Sequence, residues 1–274
     1  MICGSGSARG PRRKRDDRTH TASVTTKTGA QIELMRTAGS IVREAHEAAA
    51  AVVAEGVTTA EIDSVVDDVI TSRGGEQLFK GQRAPGADPF PAATCVSVNQ
   101  EIVHGIPGPR QLHGGDIVSV DIGVRYEGWC ADSAVTWPVG RIAPRLRKLL
   151  EATEGALRVA LETLRPHLRW SEVAKPMEEH VRLAGFHVIE SLCGHGIGRQ
   201  MWEAPQVPNY FSPGYDFELK PGLVLAIEPM VALGSTALRV MPDGWTIETA
   251  DGRPAAHFEH TVAITEDGVS VLTS

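Results

Sequence analysis

Three features of this 274-residue sequence predict an α+β fold. Amphipathic helical segments come in two pairs, and each pair is followed by apolar, β-branched runs. Some of those runs are joined by tight turns, which marks antiparallel strands. No GxGxxG or P-loop pattern announces a parallel nucleotide-binding sheet.

Residues 1–20 carry six Arg/Lys and two Asp, a net of +4, so the remainder of a chain with net charge −7 carries −11. The segment 1–25 is expected to be a disordered, basic N-terminal tail, and 26–274 a single domain. An acidic body argues against DNA as a partner, and the tail is the one candidate contact for RNA, at a ribosome. No apolar run approaches the ~20 residues that span a bilayer, and no apolar stretch follows the basic cluster as in a signal peptide. The four cysteines, Cys3, Cys95, Cys130 and Cys193, form no CxxC pair, which fits a reducing cytoplasm and neither a disulfide framework nor a thiolate zinc site.

After the tail, residues 31–56 have helical periodicity, with Gly56 as the expected stop. Residues 58–75 read as a second helix, opened by threonine with an early Glu61 and closed at Gly74-Gly75. Residues 144–168 and 169–186 repeat the arrangement, with Ser171 as the expected cap. A shift of 111 residues carries Glu61 onto Glu172, and Ala45, Ala49 and Val53 onto Ala156, Ala160 and Leu164. The chain therefore reads as two related halves, each a helix pair followed by strands.

The strands hold the chemical anomaly. Residues 116–126 and 128–140 read as a hairpin. A turn centred on Tyr126-Glu127 pairs positions whose numbers sum to 253, which sets Asp121 opposite Asp132. Two facing carboxylates in an apolar hairpin require a shared proton or a cation. The plainer alternative is an exposed hairpin end with solvated aspartates. Glu228 in "VLAIEPM" and Glu259 in "FEHTVAI" repeat the pattern, although a lone buried Glu is as often a paired core residue. With His195 in "GHGIGR" the set is rich in oxygen and has one imidazole. Four carboxylates are neutralised by two divalent ions. Such donors suit Mn, Fe(II), Co or Zn. Two such ions about 3.5–4 Å apart polarise a carbonyl and activate water, which is hydrolytic chemistry.

In series, "SVNQEIVHGIPG", "GDIVSVDIG", "GWCADSAVTWPVG", "GHGIGR", "APQVPNY", "AIEPM", "DGWTIETADG" and "FEHTVAIT" resemble the type I methionine aminopeptidases, over residues ~28–274. The resemblance implies a pita-bread fold: two pseudo-symmetric halves, with helix pairs flanking a central curved antiparallel sheet. It implies that Asp121, Asp132, His195, Glu228 and Glu259 ligate two metal ions, with Asp132 and Glu259 bridging and Glu228 shuttling protons. His104, otherwise a loop histidine, would donate a hydrogen bond near the scissile amide. Phe90, Cys95 and Trp245 would wall the methionine pocket, although Cys95 by itself reads as a buried structural thiol. The implied reaction is removal of the N-terminal methionine from nascent polypeptides, by a cytoplasmic, monomeric enzyme.

Two departures stand out. Trp202 occupies the place of a family histidine, and indole offers only an N–H donor. It can replace that donor, slow the enzyme, retune the substrate, or simply pack a wall. The stretch "KGQRAPGADPFPAAT" is longer than the family's loop, and its Phe90 stands for a pocket tyrosine. Two further readings accompany these departures. One is a same-fold paralogue acting on X-Pro or specialised peptides; the other is a ribosome-associated binding protein.

Overall fold

The computed structural model describes residues 24–274. All but the last two residues of the expected tail lie outside them. Thr25, within that expected tail, donates its hydroxyl to Glu203 (2.8 Å), and the buried Lys27 ammonium pairs with the same carboxylate at 2.8 Å.

Four helices form two pairs: α1 (Gly29–Val52) with α2 (Thr59–Ser72), and α3 (Pro144–Thr163) with α4 (Trp170–Leu183). Adding 111 to the bounds of α2 gives those of α4, and Val52 at the end of α1 maps onto Thr163 at the end of α3. The duplication read from the sequence is therefore a repeat of architecture. Its cause is visible at the caps. Glu61 and Glu172 each occupy the third helical position and accept the backbone N–H of the cap residue, Thr58 or Arg169, at 2.7 and 2.8 Å.

Several expected boundaries shift, among them the end of α3, which stops at Thr163 rather than at 168. α1 stops at Val52, four residues before Gly56, whose φ of +89° serves the following turn. α4 starts before Ser171, and the Ser171 N–H is satisfied instead by the Asp216 carboxylate at 2.9 Å.

Among the described residues all paired strands are antiparallel and divided among four sheets. The central hairpin runs Ile117–Tyr126 and Trp129–Pro138. Its register differs from the expected one by two residues: Asp121 pairs with Ala134, and Gly123 with Asp132. The turn residues are Glu127 and Gly128, both with positive φ (+48° and +79°), as a two-residue hairpin turn demands. A shift of two keeps every side chain on its face. Asp121 and Asp132 are thus diagonal neighbours on one face rather than directly opposed.

Alternation along "VSVDIGV" explains the layering. Val118, Val120, Ile122 and Val124 are fully buried against α1 and α2, while Ser119, Asp121 and Gly123 occupy the opposite face. The second helix pair covers the other half through a separate cluster that includes Leu157, Trp170, Met177, Ile227 and Val231. "GLVLAIEPMV" is not one strand: Glu228-Pro229 divides Val224–Ile227 from Met230–Ala232, and the two pieces belong to different sheets. No helix among the described residues is long and apolar enough to cross a membrane.

Trp170 anchors the second cluster. It is 1% exposed, lies parallel to Phe217 with centroids 5.9 Å apart, and donates its indole N–H to the Pro208 carbonyl at 2.9 Å. Trp170→Ala is expected to lower unfolding free energy by about 3–5 kcal/mol, read by urea denaturation.

Candidate active site

The carboxylates converge. Asp121, Asp132, Glu228 and Glu259 are 8%, 2%, 6% and 2% exposed, and with His195 they line one cavity. Asp121 and Asp132 come from the two strands of the hairpin. Glu228 directly follows the strand Val224–Ile227. Glu259 precedes the strand His260–Thr265 and bridges to Ala134 of the hairpin, with its N–H donating to the Ala134 carbonyl at 2.9 Å. The two glutamates thus sit at strand ends rather than within strands as expected.

His195 lies in Gly194–Gly196, a strand paired on one side with Gln206 and on the other with Ala226. The flanking glycines are a packing requirement. A Cβ at Gly194 would come within 2.3 Å of the Ala226 carbonyl, and one at Gly196 within 2.3 Å of the Ala204 carbonyl. The neighbouring strands therefore approach too closely for any side chain but the imidazole between them. His195 Nδ1 hydrogen-bonds the Gly196 carbonyl at 2.9 Å, and burial pushes the ring below the usual histidine range. A neutral ring donating from Nδ1 leaves its lone pair on Nε2, which faces Glu228 Oε1 at 3.6 Å.

Hydroxyl groups hold the backbone of three of the four acids. Thr94 donates to the Asp121 carbonyl. Thr261 accepts the Asp132 N–H at 2.9 Å and donates to its carbonyl at 2.8 Å. Ser133 donates to the Glu259 carbonyl at 2.6 Å.

The side-chain oxygens are less well served. Asp121 Oδ1, Asp132 Oδ1 and Glu259 Oε1 are buried without a hydrogen-bond partner among the described residues. Burial, and then the Asp132 charge, raise the carboxyls of Asp121 and Glu259 far above the usual range. Burial, and then Glu228, lift Asp132 to about 8. Unpartnered buried oxygens are rare and costly. Asp132 and Glu259 sit in two clusters whose ligand atoms lie within 4.8 Å of one another, Asp132/His195/Glu259 and Glu228/His257/Glu259, while Asp121 lines the same cavity. This donor set fits divalent cations with oxygen and imidazole ligands.

His257 is absent from the sequence reading. It is 1% exposed and lies two residues before Glu259. The spacing was the available signal, since alternate residues of an extended segment share a face.

The remaining expected residues divide into two groups. His104 lines the cavity with a positive φ of +59°, is half-buried, and desolvation pushes its imidazole down to about 4. Trp202 also lines the cavity, is 38% exposed, and faces an outer groove with His104, Leu192 and Trp245. Trp245 borders only that groove. Phe90 and Cys95 are not among the lining residues. Phe90 packs between Phe79 and Trp245, with ring centroids 6.3 and 5.3 Å away, so that Phe79 forms the wall in front of it. Cys95 pairs with Asp121 across the sheet and is buried, and burial raises its thiol well above the usual range. The described cysteines, Cys95, Cys130 and Cys193, are all unbridged.

A buried nest of acids and imidazole on a duplicated pita-bread frame defines a metallopeptidase. The chain belongs to Metallopeptidase family M24, whose sequence pattern matches residues 33–266. It is 43% identical to methionine aminopeptidase 1 of Bacillus subtilis over 90% of this chain and 98% of that protein. It superposes on the crystal structure of methionine aminopeptidase from Thermotoga maritima with a TM-score of 0.87 and 40% identity, covering 92% of this chain and all of that one. The prolidase from Pyrococcus furiosus shares the fold at a TM-score of 0.72 and 24% identity, over 91% of this chain and 65% of that one.

The raised carboxyls give metal-free protein a distinctive pH response. Asp132 ordinarily titrates near 3.8 and in the fold near about 8, so between these values the native state binds the extra proton. Its stabilising contribution is complete below about 4, falls with rising pH and is gone above about 8. Chelated protein is expected to melt at progressively lower temperature from pH 5 to pH 8. Added Co(II) or Mn(II) should restore more stability at pH 8 than at pH 5, measured by differential scanning calorimetry.

Proposed function

We propose that this protein removes the N-terminal methionine from peptides by hydrolysis of the first peptide bond, using two divalent ions (Co, Mn, Fe(II) or Zn) held by Asp121, Asp132, His195, Glu228 and Glu259. The observation that carries this reading is the burial of four acids around one imidazole in a single cavity, together with the likeness to methionine aminopeptidases along nearly the whole chain. Two divalent ions match the charge of four carboxylates; Glu259 and Asp132 would bridge them, a role supported for Glu259 by its membership of both clusters.

Bound there, divalent ions supply Lewis-acid polarisation of the scissile carbonyl and make water nucleophilic near neutral pH. Glu228 takes the proton released as water attacks and passes it to the departing amine. His104, neutral because its pKa is held near about 4, donates a hydrogen bond to the substrate at the scissile amide. Phe79, Leu192, Met201 and Trp202 offer apolar walls to an unbranched thioether side chain, with Phe90, Cys95 and Trp245 behind or beside them. In this role residues 26–274 act as one monomeric catalytic unit in the cytoplasm on chains leaving the ribosome. The +4 charge of residues 1–20 suits contact with ribosomal RNA.

Met-Ala-Ser incubated with protein loaded with Co(II) or Mn(II) is expected to release free methionine, followed by mass spectrometry. Glu228→Gln should lower kcat by about 10²–10⁴ by removing the proton carrier. Asp121→Asn should lower both activity and bound metal. Folded, metal-loaded protein that releases no methionine would end this reading. Trp202→Ala should raise KM while leaving kcat nearly unchanged, because a wall contributes to substrate binding rather than to the reacting atoms.

A further inference from the structure

We propose that His257 is a direct metal ligand through Nε2, a second imidazole that completes the site formed with Glu228 and Glu259. The inference rests on the metal centre proposed above and extends it to a residue outside the expected five.

Three observations carry it. First, the ring is inside the cluster. His257 Nε2 lies 3.6 Å from Glu228 Oε2 and 3.7 Å from Glu259 Oε2. These are poor hydrogen-bond distances, since an N–H···O bond spans about 2.7–3.2 Å. They suit two donors on one ion: at about 2.0–2.2 Å from the metal and angles of about 110–120°, ligand atoms lie about 3.3–3.8 Å apart. The opposite edge of Glu228 provides an internal standard. Its Oε1 stands 3.6 Å from His195 Nε2, the spacing that Oε2 keeps from His257. Glu228 thus has one imidazole nitrogen at each oxygen, in matching geometry.

Second, neither ring nitrogen of His257 has a hydrogen-bond partner among the described residues, although the residue is 1% exposed. A buried imidazole without partners loses its hydration with nothing in return. Ligation through Nε2 supplies the missing interaction.

Third, the backbone of His257 is fixed. The Thr136 hydroxyl accepts the His257 N–H at 3.0 Å and donates to its carbonyl at 2.6 Å. The residue is also paired with Met230, two positions beyond Glu228. This is the same double clamp that Thr261 applies to Asp132. Four carboxylates and two imidazoles make a site richer in nitrogen than the five expected ligands, which favours Co(II) and Zn(II) over Mn(II).

Paramagnetic proton NMR of Co(II)-loaded protein tests the assignment without reference to catalysis. Each coordinated histidine contributes one strongly shifted, solvent-exchangeable ring N–H signal. Two such signals are expected in wild type, one in His257→Gln, and two in His104→Asn. Calorimetric titration should show one Co(II) equivalent binding at least about 100-fold more weakly in His257→Gln, beyond the usual ~10–100-fold cost of losing a group that merely orients a ligand. A single shifted signal in wild type overturns the proposal even where His257→Gln fails to fold. So does loss of the second signal in His104→Asn instead. Absence of every shifted signal would overturn the metal centre itself, separating that failure from the failure of His257 alone.

Discussion

Four carboxylates are held together out of water, and the rest of the molecule exists to make that tolerable. Burying one such charge costs several kcal/mol unless it is compensated. The fold therefore fixes the backbone beneath these side chains while leaving their inward oxygens available. Thr94, Thr261 and Ser133 spend their hydroxyls on the main chain of Asp121, Asp132 and Glu259. Thr136 does the same for His257 and is itself hydrogen-bonded to Ser119 at 2.8 Å. Acids held this firmly cannot swing apart to relieve their repulsion, so the compensation must come from positive charge or from protons.

The acids are divided between the halves. Asp121 and Asp132 belong to the hairpin that follows the first helix pair, whereas His195, Glu228 and Glu259 follow the second. The bridge from Ala134 to Glu259 joins these regions, as does the Cys130 N–H, which donates to the Gly198 carbonyl at 2.8 Å. Each helix pair packs on its own apolar cluster, and two further clusters combine residues of both halves. Duplication supplied two similar supports, and the centre arises only where they meet.

Much of this was legible in sequence because it is local. Helix pairs show themselves through periodicity and capping glutamates, and the 111-residue offset survives in the structure to the residue at both ends of the second helices. Asp121 was conspicuous because an acid in an apolar strand is anomalous. The hairpin register was misread by two residues, since the turn is governed by the positive φ of Glu127 and Gly128 rather than by the symmetry of the apolar pattern. The face of each acid survived that error because strand periodicity is two. What escaped was tertiary. His257 looks like any strand histidine until Glu228 arrives from a different strand end. Thr136 and Thr261 look like ordinary β-formers until their hydroxyls find a main chain more than 120 residues away. Phe90 resembled a pocket wall, and only packing shows Phe79 standing in front of it.

Trp202 sits where the outer groove opens into the cavity and contributes to the lining of both. It shares that position with His104 and Leu192, which also line both. The other four tryptophans are buried or half-buried, so this ring is the one most open to solvent. Indole emission shifts in colour with hydration and dims beside open-shell cations. The threshold of the cavity thus carries its own lamp, and filling of the chamber behind it can be watched in ordinary fluorescence without attaching a dye.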